Sequence, residues 1–71
     1  MENNHPYPLS PREFEILKRM AQGLHNREIA ENLNITQKTV DFHVENILQK
    51  MGVENRVQAV VEAIRRGWVK I

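Results

Sequence analysis

Apolar residues in this chain recur at intervals of three and four, with polar residues filling the gaps. That period is helical, and no strand-like alternation interrupts it. Ile16, Leu17, Met20 and Ala21 line one face of a first helix, predicted over residues 11–22. Its start is written in Ser10-Pro11-Arg12-Glu13: a cap hydroxyl, proline at the first helical position, and a glutamate that reaches back to the cap's amide. Leu9 and Phe14 stand where a hydrophobic staple needs them, and Gly23 supplies the left-handed stop. Asn26 is read as the cap of a short second helix over 27–33, with Ile29, Ala30 and Leu33 facing inward. Asn34 takes the tight turn that follows, because asparagine tolerates the left-handed conformation. Ile35 plugs that turn, Thr36 caps a third helix over 37–51, and Gly52 ends it.

Asn55 caps a fourth helix over 56–66, which Gly67 ends. Val57, Val60, Val61 and Ile64 have the spacing of a core stripe. Ala59 and Ala63 then fall on its outer side, a low-profile strip suited to close approach by a second copy. Trp68 and Val69 are expected to fold back on the bundle. The first eight residues, Met1 to Pro8, hold two prolines and no period, and read as a flexible lead-in or linker remnant. The expectation is an all-α domain over 9–71: a compact four-helix bundle containing a helix-turn-helix.

A short helix, a tight turn and a longer second helix make that motif, over residues 26–45. Small Ala30 marks a close helix crossing, and Ile29, Leu33, Ile35 and Val40 supply the apolar plug. An ordinary αα-hairpin also needs such residues. At about 100° per residue, Val40, Val44, Ile47 and Met51 share the core side of the third helix. Lys38, Phe42, Glu45 and Gln49 project from the opposite side. Thr39, His43, Asn46 and Lys50 lie on one flank, Asp41 and Leu48 on the other. In a major groove the opposite side meets bases and the flanks meet phosphates.

Charge complicates this picture. The chain carries a formal net charge of only +1. Between residues 26 and 51, Arg27, Lys38 and Lys50 face Glu28, Glu31, Asp41 and Glu45, which leaves one negative charge in excess. Affinity for DNA rests on phosphate neutralisation. The positive charge must therefore come from Arg12, Lys18, Arg19, Arg56, Arg65, Arg66 and Lys70. Asp41 and Glu45 either accept from cytosine amino groups or face solvent and moderate binding. Phe42 either packs on thymine methyls or fills a gap against a neighbouring helix. His43 reads as a half-buried histidine whose polar tip reaches a phosphate.

Other chemistries fit poorly. There are no cysteines, and His5, His25 and His43 lack ligand spacing, so no metal or cofactor is expected. No nucleophile–base pair or phosphate-cradling glycine loop points to an enzyme, and no small-molecule ligand is expected. No apolar run approaches bilayer length and no signal peptide opens the chain, so a cytoplasmic location without a membrane partner is expected. A protein-interaction module that kept the fold and lost DNA affinity is the alternative that Asp41 and Glu45 motivate.

The strings Leu9-Ser10-Pro11-Arg12-Glu13, Asn26-Arg27-Glu28-Ile29-Ala30, Ile35-Thr36, Thr39-Val40, Asn46-Ile47, Lys50-Met51-Gly52-Val53 and Asn55-Arg56, with His43, resemble the LuxR-type helix-turn-helix domain. This is the DNA-binding output of NarL- and DegU-like response regulators and of stand-alone GerE-like regulators. The stretch from Gln58 to Val69 looks DegU-like. The resemblance covers residues 9–69. It implies double-stranded DNA as partner, a bacterial two-component transcription regulator, and a homodimer formed through the fourth helix on DNA. RNA polymerase is kept as a further candidate partner. The candidate DNA-binding set is Asn26, Arg27, Thr36, Lys38, Thr39, Asp41, Phe42, His43, Glu45, Asn46, Lys50 and Arg56. The candidate dimer contacts are Ala59, Val60 and Ala63. Family members often carry lysine or arginine at the positions of Asp41 and Glu45, and this sequence departs there.

Overall fold

A computed structural model describes residues 8–70. The lead-in expected over 1–8 therefore lies, except for Pro8, outside the described residues. Among them are four helices and no strand: α1 (Pro11–Ala21), α2 (Asn26–Leu33), α3 (Gln37–Met51) and α4 (Arg56–Arg65).

Each helix starts and stops where its terminal amides and carbonyls find partners. At α1, the Glu13 amide donates to the Ser10 hydroxyl at 3.1 Å and the Ser10 amide donates to the Glu13 carboxylate at 2.9 Å. The capping box is complete. Leu9 is buried and Phe14 packs against the core, as a staple requires. Thr36 receives the Thr39 amide at 3.1 Å, and Asn55 receives the Gln58 amide at 2.9 Å. A cap of this kind contributes about 1 kcal/mol.

The start of α2 corrects the expectation. Asn26 is not its cap but its first helical residue, and His25 holds the cap position. The Glu28 carboxylate accepts the His25 amide at 2.7 Å. That acid sits three residues after His25, so it closes on His25 and leaves the Asn26 side chain for other partners. At the far end of α2, Asn34 adopts φ 59° and ψ 45°, the left-handed turn expected of it. The Ile35 amide then donates back to the Ala30 carbonyl at 3.0 Å. Gly52, at φ 72°, turns the chain out of α3 in the same way.

The core is formed by Leu9, Ile16, Leu17 and Met20 from the α1 region, Ile29 and Ala30 from α2, Val40, Val44, Ile47 and Met51 from α3, Ala59 and Ala63 from α4, and Val69. Val69 and the half-buried Trp68 do fold back, the Trp68 amide donating to the Ala63 carbonyl at 2.8 Å. The register of α4 is the second correction. Ala59 and Ala63 are fully buried, while Val57 is 68% and Val61 48% exposed. Val60 and Ile64 pack only partly against the core. α4 lies against both α1 and α3, and its line of closest approach carries methyl groups. Short side chains permit that approach, and the larger valines at 57 and 61 are turned outward.

Candidate nucleic-acid interface

α3 separates its two faces completely. Val40, Val44, Ile47 and Met51 are buried on one, and Lys38, Phe42, Glu45 and Gln49 are exposed on the other. Phe42 is 61% exposed, so it does not fill a gap against a neighbouring helix. Its ring leans on His43, with centroids 5.9 Å apart. Lys38 and Glu45 make no ion pair or side-chain hydrogen bond among the described residues. The Thr36 and Thr39 hydroxyls share a hydrogen bond of 2.9 Å at the head of the helix. His43 and Asn46 are half-buried on the flank, and the His43 Nδ1 is buried without a partner.

Three of the expected DNA-facing residues are joined to one another. Arg56 Nη1 donates to Asn26 Oδ1 at 2.8 Å, and Asn26 Nδ2 donates to Asp41 Oδ1 at 2.8 Å. Arg56 Nη2 also donates to the Leu24 carbonyl at 3.2 Å. The Asn26 amide thus stands between a guanidinium and a carboxylate and binds both. It ties the start of α4 to the start of α2, and that to the first turns of α3. Asp41 is drawn to the α2 side by this bond.

A second connection joins α3 to α1. Lys50 Nζ donates to Glu13 Oε1 at 2.8 Å, with the Glu13 side chain only 6% exposed. Burial pushes the Glu13 carboxyl up, but the Lys50 ammonium and the Ser10 amide outweigh it, with His43 nearby adding to them. The group is held below its ordinary value. One carboxylate thus closes the cap of α1 and fastens the last turn of α3.

Most remaining cations are also engaged. Arg12 pairs with Glu15, and Arg65 and Arg66 share Glu62. Arg27 lies 3.8 Å from Glu31 in a pair almost fully in water, which is worth little. Arg19 donates to Asn32 at 2.6 Å. Lys18 sits over the Phe14 ring and Arg66 over the Trp68 ring. The polar chain through Asn26 and the Lys50–Glu13 pair were not legible in the sequence. Their members stand 15, 30 and 37 positions apart, and no local pattern links such positions.

The family model described as bacterial regulatory proteins, luxR family, matches residues 7–63. The chain belongs to the luxR family of bacterial regulatory proteins. Its members are transcription-factor DNA-binding domains, and this luxR-family chain shares their fold. It is 57% identical over 63 residues to the transcriptional regulatory protein DegU of Brevibacillus brevis, covering 89% of this chain and 27% of that protein. It is 53% identical over 53 residues to the nitrate/nitrite response regulator NarL of Escherichia coli K12, covering 75% of this chain and 24% of that protein. The solved structure of the transcription factor GerE superposes with a TM-score of 0.80 at 37% identity, covering 87% of this chain and 92% of that one. The response regulator ChrA of a heme-sensing two-component system gives 0.81 at 41% identity, covering 89% and 31%. The chain therefore spans about a quarter of the length of DegU and NarL.

Proposed function

We propose that this luxR-family domain binds double-stranded DNA sequence-specifically as the output element of a bacterial two-component regulator in the cytoplasm. The domain is taken to run over 9–71, with its helix-turn-helix over 26–45. α3 enters the major groove, and two copies pair through α4 on half-sites roughly 10 base pairs apart. The observation that carries this reading is the α3 face: an exposed stripe of Lys38, Phe42, Glu45 and Gln49, backed by a helix side buried along its whole length. Thr36, Thr39, His43 and Asn46 stand beside that stripe, placed for phosphates. Arg27 and Lys38 supply charge at its head. Asn26, Asp41, Lys50 and Arg56 serve the interface chiefly by fixing α3 against α1, α2 and α4. The apolar patch of Val57 and Val61, flanked by Val60 and Ile64, replaces Ala59 and Ala63 as the dimer surface. RNA polymerase remains the candidate partner of the DNA-bound form.

The test is a DNA-binding titration against salt. Binding should weaken with a linear log–log slope close to −0.9 per phosphate neutralised. Absence of binding at low salt, even to a broad pool of sequences, overturns the proposal and favours a protein-interaction module.

A further inference from the structure

Resting on the DNA-binding reading above, we propose that the exposed stripe of α3 selects pyrimidines: Phe42 packs on a thymine methyl, and Glu45 accepts from the amino group of a cytosine in a neighbouring base pair. Three observations lead there. Asp41, the other acid on this helix, is bonded to Asn26 and held on the α2 side. Phe42 is more than half exposed at the middle of the stripe. Glu45 is exposed on the same stripe and is not used by any described side chain.

The chemistry of the groove then restricts the readout. The thymine methyl is the apolar group that the major groove offers, and a solvent-facing phenyl ring gains by covering it. A carboxylate accepts hydrogen bonds and donates none. Cytosine presents a donor, its N4 amino group. Guanine presents two acceptors, N7 and O6, which repel a carboxylate, and adenine sets its N7 acceptor beside its N6 donor. Glu45 therefore favours cytosine and rejects guanine. Phe42 and Glu45 are three residues apart, about 4.5 Å along the helix axis. That is close to the base-pair rise of about 3.4 Å, so the two side chains address adjacent pairs. A lysine or arginine at either position would select guanine instead.

The experiment uses the duplex preferred by this chain in a selection from random DNA at low salt, followed by anisotropy titrations of single-position variants. Replacing the contacted thymine by deoxyuridine removes only the methyl. It should weaken binding roughly fourfold, the worth of one buried methyl, and should have no effect on Phe42→Ala. Replacing the adjacent C·G pair should weaken binding at least fivefold. Glu45→Ala should bind all four pairs about equally, having lost both the bond to cytosine and the repulsion from guanine. Both residues are exposed, so both variants should keep the parent's helical circular dichroism, and the deoxyuridine arm needs no variant at all. Equal binding to thymine and deoxyuridine duplexes overturns the Phe42 half, and indifference to the C·G pair overturns the Glu45 half. Neither result touches the DNA-binding reading, which fails only if no duplex binds.

Discussion

Glu13 is nearly withdrawn from water and its carboxylate holds two groups at once: the Ser10 amide at the cap of α1 and the Lys50 ammonium. Its folded-state carboxyl ionises below the ordinary 4.5. The stability it contributes is thus complete above that pH and is lost as pH falls through the lower folded value. Glu13→Gln keeps an oxygen for the Ser10 amide but drops the charge, and should cost about 1–2 kcal/mol at neutral pH. In urea titrations the gap between parent and variant should begin to narrow as pH falls below 4.5 and close only once the folded Glu13 carboxyl is itself protonated, the glutamine being neutral throughout. An unchanged gap in acid would remove the Lys50 pair from the account. Asn26→Ala strips partners from Arg56 and Asp41 at once. It should cost about 1–2 kcal/mol, read as a thermal midpoint lower by roughly 4–16 °C in a domain of this size.

Among the elements, the turn and α4 show how small residues decide geometry. Asn34 holds a left-handed backbone that only short polar residues and glycine tolerate. Asn34→Ala should cost about 1–2 kcal/mol by denaturant unfolding, and Asn34→Gly much less. Ala59→Leu should cost about 1–3 kcal/mol, because α4 has no room against α1 and α3, whereas Val57→Ala on the exposed side should stay within about 0.5 kcal/mol. The existence of all four helices, the α1 capping box and the Asn34 turn were legible because caps and breakers act within a few residues. The α4 register was not. Two alternative stripes share that helix, and size favoured the valines at 57 and 61 as core. Which stripe is covered is set by how closely α1 and α3 approach, and periodicity does not report that distance. The start of α2 differs from expectation by one residue for a different reason: Glu28 closes on the His25 amide three positions before it, and Asn26 is left inside the helix.

For the molecule as a whole, the exposed valines of α4 and the exposed stripe of α3 are separate surfaces, so the proposed pairing and DNA contact should be separable by mutation. Val61→Glu should leave the thermal midpoint nearly unchanged, abolish dimers in sedimentation velocity on a two-site duplex, and leave binding to a single half-site intact. Loss of half-site binding as well would mean that α4 contributes to more than pairing. Among the described residues, no helix is long and apolar enough to cross a membrane.

The chain of bonds from Arg56 through Asn26 to Asp41 also bears on how such a domain diverges. Phe42 and Glu45 are exposed, so if they read bases as proposed, positions 42 and 45 are free to drift and rewrite the preferred operator one step at a time. Position 41 is not independent. Asp41→Lys would place a cation against the same amide that already receives Arg56, so its effect depends on what stands at 26. A lineage that carries Asp41 is therefore expected to show epistasis between positions 26 and 41, with new specificities arising first through the unencumbered pair.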